Sequence, residues 1–351
     1  MNAFRLIIHA TNIHQGGGKT LLLAILSAVP KTIQAIAQLD RRMTIPSPLS
    51  ENLKVKFYRP TVLHRLWSEW RLVRSVRPGD IILCFGNLPP LFKLAGHVQV
   101  FLQNRYLIDE VSLKYFPLKT RIRMWVERRW LITRIGNVDA FIVQTLSMRR
   151  LLVKRTNGCV PVYVQPLMAD PSTHICRKQK LEFNCNDHVD FLYVASGEPH
   201  KNHRMLVLAW CLLADELKYP SLQLTVERED FPDLCDWIEQ QKVRHQLKIF
   251  NLGRLPQKRI EKLYECVDAM IYPSTFESFG LPLIEAKQAG LPILASELDY
   301  VRDVINPDES FDPNSPVSIA RAINRFMFKE EPKLSLQNAE GFLEQTLQRG
   351  I

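Results

Sequence analysis

Short apolar runs alternate with longer helical stretches along most of the chain. In the first half, the runs that we interpret as strands lie at residues 4–9, 55–58, 80–84, 98–102 and 139–144. In the second half, they lie at residues 191–196, 222–226, 248–251 and 270–272. Strands that alternate with helices are typical of βαβ units, in which neighbouring strands are parallel. The pattern therefore predicts an α/β protein with parallel sheets.

The periodic pattern is lost between residues 167 and 188, where turn residues accumulate. We interpret this stretch as a linker between two domains. A chain of 351 residues, of which 46% are hydrophobic, is long enough to build two cores of ordinary size. The predicted domains are residues 1–172 and 173–351, and residues 340–348 are predicted to form a C-terminal helix.

The most informative stretch covers residues 271–295 and reads as strand, loop, helix and strand, with the sequence IYPSTFESFGLPLIEAKQAGLPILA. Pro282 suits the first position of a helix, and Gly290 followed by a proline predicts its end. Glu277 lies in the loop and Glu285 in the first turns of the helix, with seven residues between them. Because the chain reverses direction there, both carboxylates can face one cleft.

The start of this helix is a candidate binding element. Backbone N–H groups at Phe279, Gly280 and Leu281 have no partner within a helix, and they favour anionic or hydroxyl-rich ligands. Carboxylates near a helix start are also common as solvated or dipole-balancing residues, so two glutamates alone do not define a site.

The string PS-x-x-E-x-FG-x-P-x-x-E-A, from Pro273 to Ala286, resembles the retaining two-domain nucleotide-sugar glycosyltransferases of family 4. The resemblance covers about residues 191–325. It implies the GT-B fold of the group 1 glycosyl transferases, with two Rossmann-like domains around a cleft and a C-terminal helix that returns toward the first domain. It also implies that Glu277 binds hydroxyls of the donor sugar and that Glu285 binds the ribose. The amides of the helix start would orient the sugar, and transfer would retain the anomeric configuration.

The turn at residues 197–202 resembles the phosphate loop of this family, which would place Gly197, Lys201 and Asn202 at the donor. Lys201 matches the lysine that holds the donor diphosphate; the alternative is an exposed lysine at a helix start. Relatives often carry an arginine directly after the glycine, where this chain has Glu198. The resemblance therefore requires a second cation from elsewhere, with Arg204 and Arg254 as the candidates.

A glycine-rich turn, QGGGKT, follows the first strand and opens a helix from about residue 18 to residue 28. A nucleotide-binding P-loop would need glycine at position 13, which is Ile13. In the family, a similarly placed turn faces the donor diphosphate and the acceptor, which implies a binding role for Gly16, Gly17 and Gly18. The alternative is a tight turn with no ligand.

The loop after the strand at residues 98–102 should also reach the cleft, because ligands of open α/β sheets gather at the carboxyl ends of strands. Many relatives have a histidine in this loop that contacts the donor sugar. This chain has Gln103 and Asn104 instead, and either amide could bind a sugar hydroxyl.

The charge is unevenly distributed along the chain. Residues 1–175 hold 25 Lys and Arg against 9 Asp and Glu, a net charge of +16, whereas residues 176–351 hold 21 against 27, a net charge of −6. Two predicted helices of the basic half, at residues 64–77 and 119–135, combine arginines with tryptophans. This composition suits adsorption to anionic lipid headgroups. The alternative is that the tryptophans are core residues and that the arginines form a solvated face.

The sequence contains no Asp-x-Asp motif and no His/Cys cluster, so we expect neither a metal ion nor another cofactor. Cationic side chains and helix N-termini would then neutralise the leaving diphosphate. Seven scattered cysteines without a C-x-x-C pair predict reduced thiols. No apolar stretch is long enough for a signal peptide or a membrane span, which predicts a cytoplasmic protein that can bind the membrane surface.

These observations predict a retaining, metal-independent transferase. It would move a hexose-type sugar from a nucleotide-sugar donor to a lipid-linked or lipopolysaccharide acceptor at the cytoplasmic membrane face. The alternative is a basic α/β protein that binds membranes or nucleic acid without transferase activity, although no stacking-aromatic nucleic-acid motif is present. A dehydrogenase is disfavoured because the chain has no G-x-G-x-x-G.

Overall fold

The computed structural model describes residues 4–45, 51–111, 113, 116–168 and 190–328. These residues form two parallel sheets that follow one another along the chain. The predicted α/β class with two Rossmann-like units is therefore confirmed. The predicted boundary between residues 172 and 173 and the predicted helix at 340–348 lie outside the described residues.

The first sheet has seven strands in the order β3-β2-β1-β4-β5-β6-β7. Its strands are β1 (Arg5–Ala10), β2 (Gln34–Asp40), β3 (Leu53–Tyr58), β4 (Ile81–Cys84), β5 (His97–Phe101), β6 (Ala140–Val143) and β7 (Val162–Val164). Its helices are α1 (Gly16–Ser27), α2 (Val62–Ser75), α3 (Leu118–Thr133) and α4 (Leu146–Arg155). Strand β2 was not among the predicted strands, because its sequence QAIAQLD mixes alanine and glutamine, which have little intrinsic preference for strands.

The second sheet has six strands in the order β10-β9-β8-β11-β12-β13. Its strands are β8 (Asp190–Tyr193), β9 (Ser221–Leu224), β10 (Ile249–Asn251), β11 (Ala269–Tyr272), β12 (Ile293–Ser296) and β13 (Glu309–Phe311). Its helices are α5 (His203–Asp215), α6 (Pro232–His245), α7 (Gln257–Cys266), α8 (Leu281–Gln288), α9 (Asp299–Arg302) and α10 (Pro316–Phe328). Helix α8 begins at Leu281, one residue before Pro282, and ends at Gln288, two residues before Gly290, so both ends lie close to the predicted ones.

The core of the first domain lies on both faces of its sheet. Neighbouring residues of a strand point to opposite faces, and Ile7 and Ile8 of β1 are both fully buried in separate hydrophobic clusters. A sheet that is buried on both faces explains why its strands read as continuous apolar runs. No helix among the described residues is both long and apolar enough to cross a membrane.

The strand order reverses at one point in each sheet, between β1 and β4 in the first and between β8 and β11 in the second. Loops that leave the carboxyl ends of two such strands diverge and open a crevice, which is where ligands of open α/β sheets bind. The glycine-rich turn follows β1, whereas the loops of Lys201 and Glu277 follow β8 and β11. The topology thus places the glycine-rich turn, Lys201 and Glu277 at the two crevices.

Candidate active site

Lys201 and Glu277 meet at the crevice of the second sheet. They lie 76 positions apart in sequence, but β8 and β11 are neighbouring parallel strands, so the loops that follow them emerge side by side. The Lys201 Nζ atom donates to Glu277 Oε1 over 2.5 Å, and both side chains are largely buried. A buried ion pair of this kind is stable only with good geometry and further hydrogen bonds.

Glu277 Oε1 receives those further hydrogen bonds from two hydroxyls. The Tyr272 hydroxyl donates to it over 3.0 Å and the Ser274 Oγ atom over 2.8 Å. Neither residue was a predicted site residue, although Ser274 belongs to the motif and Tyr272 directly precedes it. Only the folded loop shows that both side chains turn toward the glutamate.

Two more buried tyrosines donate hydrogen bonds to backbone carbonyls of the same two loops. Tyr193 donates to the Lys201 carbonyl over 2.7 Å, and Tyr300 donates to the Ser274 carbonyl over 2.8 Å. Burial, and secondarily the charge of Glu277, raise the pKa of Tyr193 and of Tyr300 well above the ordinary value. Both phenols therefore remain protonated hydrogen-bond donors.

The start of helix α8 has the conformation of a binding element. Gly280 precedes the helix with a φ of +71°, a left-handed conformation that glycine adopts without strain. Within the described part of the chain, the N–H groups of Phe279, Gly280 and Leu281 donate no hydrogen bond. These N–H groups thus have no protein acceptor there, and their role toward an anionic or hydroxyl-bearing ligand stays a prediction.

Glu285 occupies a separate environment on helix α8. Its Oε1 accepts a hydrogen bond from the Gln257 amide and its Oε2 accepts one from the Tyr264 hydroxyl, each over 3.2 Å. Burial raises the pKa of Glu285, while the hydrogen bonds from Tyr264 and Gln257 act in the opposite direction. The two glutamates share no protein partner among the described residues.

The glycine-rich turn of the first domain lies against helix α8 of the second. A Cβ atom on Gly17 would stand 3.8 Å from Leu281, and a Cβ atom on Gly18 would stand 3.6 Å from the Gln103 side-chain oxygen. Gly16, which begins α1, has a φ of +67° and open space around its Cα. The three glycines thus lie where the first domain meets the predicted donor site.

The two candidate amides after β5 differ in their contacts. Asn87 accepts hydrogen bonds from the backbone N–H groups of Gln103 and Asn104, which fixes this loop. The Asn104 side-chain oxygen caps the following 3-10 turn by accepting from the N–H of Tyr106. The Gln103 side-chain nitrogen is buried and has no partner among the described residues. Gln103 thus has a buried donor without a protein partner, whereas Asn104 has its oxygen engaged in the cap.

Arg105 and Tyr106, which follow these amides, were not predicted as site residues. Arg105 donates to the Glu277 carbonyl over 3.3 Å, and its guanidinium lies 4.7 Å from the centre of the Phe276 ring. The Tyr106 ring packs on Phe276 with centroids 4.3 Å apart. The first domain thus contacts the loop that carries Glu277. No motif marks these residues, because the contact depends on how two distant loops meet.

Three other predicted residues have structural partners. Gly197 packs so closely on Phe231 that a Cβ atom would stand 2.5 Å from its ring, which explains the glycine without a ligand. The Asn202 amide donates to the carbonyls of Pro273 and Pro313 and so ties the loops together. Arg254 is exposed and paired with Asp230.

Both candidates for the second diphosphate cation have protein partners in this structure. Arg254 is paired with Asp230, and Arg204 stacks on Trp237 at 4.6 Å, so the source of a second cation stays a prediction. The described residues also contain no group of three or more His, Cys, Asp and Glu that could hold a metal ion.

Residues 178–340 match the family model described as Glycosyl transferases group 1. The chain is similar to the O-antigen chain mannosyltransferase B of Escherichia coli, with 33% identity over 135 residues, which make up 38% of this chain and 35% of that protein. It is also similar to the O-antigen chain mannosyltransferase RfbU of Salmonella typhimurium, with 23% identity over 307 residues, 81% of this chain and 78% of that protein.

Among solved structures, the fold is similar to that of the trehalose-6-phosphate synthase of E. coli bound with UDP-2-fluoro glucose. The TM-score is 0.69 at 12% identity, over 93% of this chain and 92% of that one, so this likeness shows the fold alone. The match to mannosyltransferase B spans about a third of that relative's length. The family match and the relatives thus show that this chain is similar to glycosyltransferases, and the solved structures confirm the predicted fold class.

Proposed function

We propose that the protein is a retaining, metal-independent hexosyltransferase. In this proposal it transfers a sugar from a nucleotide-sugar donor to a lipid-linked or lipopolysaccharide-type glycan at the cytoplasmic face of the membrane. The observation that carries the proposal is the buried Lys201–Glu277 pair at the crevice of the second sheet, beside the open N-terminus of α8. A cation, a carboxylate and free amides in one crevice suit a ligand that combines a diphosphate with sugar hydroxyls.

Each group has a role in the proposed reaction. Lys201 and the α8 amides would stabilise the negative charge that develops on the leaving diphosphate, without a metal ion. Glu277 would accept hydrogen bonds from hydroxyls of the donor sugar and hold it in place. Glu285 would bind the ribose hydroxyls. Gln103 would reach the sugar from the first domain.

The bond changes follow from retention. The bond between the anomeric carbon and the diphosphate oxygen breaks, and the acceptor hydroxyl oxygen bonds to the anomeric carbon on the same face. The acceptor proton passes to the departing diphosphate oxygen. No side chain is then needed as a separate base, and closure of the two domains would exclude water.

The donor sugar can be proposed from the relatives. Two of them are named as O-antigen mannosyltransferases, and the structural neighbour was solved with a glucose nucleotide. We therefore propose mannose as the first sugar to test and glucose as the second. The same relatives favour a polysaccharide of the O-antigen type as the acceptor.

The membrane side of the proposal rests on helices α2 and α3. Their exposed apolar side chains include Trp67, which is 46% exposed, and Trp125, which is 60% exposed. Arginines cover both rings: Arg71 lies 4.3 Å from the Trp67 ring and Arg129 lies 5.7 Å from the Trp125 ring. Exposed tryptophans flanked by arginines suit the headgroup region of an anionic bilayer.

Trp130 differs from these two tryptophans. It is half-buried against the core, its indole N–H donates to the Pro89 carbonyl, and the guanidinium of Arg65 from α2 lies 5.5 Å from its ring. It therefore connects α3 to α2 rather than contributing to the exposed face. The exposed residues Trp67 and Arg71 of α2 and Trp125 and Arg129 of α3 form the surface that we call the Trp–Arg face.

A transfer assay tests the catalytic part of the proposal. The purified protein is mixed with a lipid-linked glycan acceptor and with nucleotide-activated mannose, glucose or galactose, with and without EDTA. We expect transfer from one donor, unaffected by EDTA, and a product with the anomeric configuration of the donor by NMR. Inversion would contradict retention, loss of activity with EDTA would contradict metal independence, and no transfer from any donor would contradict the function.

A vesicle assay tests the membrane part. Binding should be strong to anionic vesicles, weak to neutral ones, and should fall as salt rises, because surface charges are screened over roughly 10 Å at 0.1 M salt. Trp67→Ala with Trp125→Ala should weaken it, while Trp237→Ala in the second domain serves as the control. Equal binding to neutral and anionic vesicles would contradict the proposed surface.

A further inference from the structure

Glu277 needs external support to act on a sugar. A glutamate side chain has three rotatable bonds, and the torsion angle of the last one has a broad distribution. Its carboxylate is therefore mobile unless hydrogen-bond partners hold it. Binding or orienting a reacting group requires a geometry held to within a fraction of an ångström. The residues that hold the carboxylate therefore matter for turnover even when they do not touch the substrate.

The hydrogen bonds to Glu277 are confined to one oxygen. Lys201, Tyr272 and Ser274 all donate to Oε1. Among the described residues, no donor reaches Oε2. Oε1 is thus the oxygen fixed by the protein, and Oε2 is the oxygen left for hydroxyls of a ligand.

The three donors are not equivalent. In the proposed reaction Lys201 turns its charge toward the diphosphate. Ser274 has a single proton and several acceptors within reach, since its Oγ also lies 3.1 Å from the His200 carbonyl and 3.5 Å from the Phe276 carbonyl. The Tyr272 proton has one acceptor among the described residues, Glu277.

The position of Tyr272 is rigid. The residue ends strand β11, is 1% exposed, and packs edge-to-face on Tyr193 with ring centroids 5.5 Å apart. A phenol in a packed core has few alternative rotamers, so its hydroxyl is a fixed point. Burial, and secondarily the negative charge of Glu277, keep the pKa of Tyr272 well above its ordinary value, so the donor proton is retained.

Glu285 has a buried tyrosine of its own. Tyr264, on helix α7, is 1% exposed and donates to Glu285 Oε2 over 3.2 Å. Its partner on the other oxygen is the Gln257 amide, from the first turn of the same helix. The two tyrosines lie on different elements and serve different carboxylates.

We infer that Tyr272 and Tyr264 are positioning residues, each of which orients one of the two glutamates. Tyr272 holds Glu277 so that Oε2 faces the donor sugar, and Tyr264 holds Glu285 so that it faces the nucleoside. This inference rests on the proposed function. It predicts that the loss of either hydroxyl changes a different step.

Three variants that each remove a single oxygen atom test the inference. They are Tyr272→Phe, Tyr264→Phe and the control Tyr58→Phe, whose buried hydroxyl lies in the first domain and bonds to neither glutamate. For each protein, kcat and KM are measured at saturating acceptor. The Kd of free nucleoside diphosphate is measured by calorimetry, with whichever of UDP, GDP and ADP binds the wild type most tightly.

For Tyr272→Phe we expect kcat to fall by about tenfold, the loss of one hydrogen bond to a charged group, with Kd within about twofold of wild type. For Tyr264→Phe we expect Kd to weaken by about tenfold, with kcat near wild type at saturating donor. Tyr58→Phe should change neither. Melting temperatures of all three show whether a loss reflects unfolding.

Several outcomes would overturn the inference. An unchanged kcat in Tyr272→Phe would remove its positioning role, and equal losses in all three variants would indicate a general packing effect. A Tyr272→Phe protein that loses nucleotide affinity as strongly as turnover would contradict the separation of the two tyrosines. A wild type that transfers no sugar contradicts the proposed function instead, and the calorimetric comparison of Tyr264→Phe with Tyr272→Phe still tests the inference.

Discussion

The two domains contribute to one cleft in different ways. In the second domain, the motif groups Ser274, Glu277, Gly280 and Glu285 lie within a dozen residues, and Lys201 joins them from the neighbouring strand. In the first domain, the groups at the cleft come from separate loops: Gly17 after β1, Asn87 after β4, and Gln103 with Arg105 after β5. A contiguous motif can be read from a sequence, whereas a set assembled from strand ends requires the topology. The matched family model accordingly begins at residue 178.

The domains also differ in charge. The basic excess belongs to residues 1–175, yet the cation paired with the candidate catalytic glutamate belongs to the acidic half. The net charge of a half therefore does not show where the candidate catalytic charges lie. The basic residues of the first half include those of the Trp–Arg face, whereas the candidate site depends on single buried charges.

The largest loss of activity should come from a substitution in the second domain. Lys201→Ala should lower kcat/KM by on the order of 10²-fold or more, as when one preorganised electrostatic contact to a developing charge is lost. Steady-state kinetics measure it, and Lys218→Ala, which removes a lysine paired with Glu216 at the surface of the same domain, is the matched control. Unchanged kinetics in Lys201→Ala would move the role to another cation.

The next largest effects should come from the two glutamates, and they should fall on different steps. Glu285→Ala should weaken nucleoside diphosphate binding by about 1.5–3 kcal/mol, the scale of hydrogen bonds to a charged partner. Glu277→Gln keeps the shape of the side chain, so turnover should fall while binding stays nearly normal. Calorimetric titration and kinetics of both variants measure this difference. The reverse pattern would exchange the two assignments.

A smaller effect should come from the first domain. Arg105→Gln removes the hydrogen bond to the Glu277 carbonyl and the cation over Phe276, and we expect about a tenfold loss in kcat/KM. Arg134→Gln, at an exposed position after α3, makes the same change of charge as a control. If both variants kept full activity, the first domain would contribute only glycines and amides to the site.

The smallest effect on activity should come from Asp80, far from the motif. Burial opposes its ionisation, but hydrogen bonds from Arg5 and from the Arg77 N–H outweigh burial and lower its pKa. A lowered carboxyl pKa stabilises the fold above the unfolded pKa of about 3.9, and this stability is lost as pH falls through the folded pKa.

Asp80→Asn should therefore leave kcat unchanged and lower the free energy of unfolding near pH 7 by about 1–2 kcal/mol. Denaturant melts of the wild type and the variant at several pH values should show that the difference between their free energies of unfolding becomes smaller below about pH 4. A gap that stays constant with pH would show that the effect is not electrostatic.

The sequence by itself determined the elements whose cause is local. Pro282 and Gly290 marked the ends of α8 and the apolar runs marked most strands, because helix signals and burial patterns act within a few residues. Strand β2 was missed because its alanines and glutamines have little intrinsic preference for strands, whereas its pairing with β1 and β3 is set by the sheet. The tertiary structure alone decided which oxygen of Glu277 is held and that Arg105 reaches the loop of Glu277. The contacts of Lys201 and Arg105 with Glu277 join residues 76 and 172 positions apart through parallel strand order and domain contact, and no local pattern in the chain encodes such pairings.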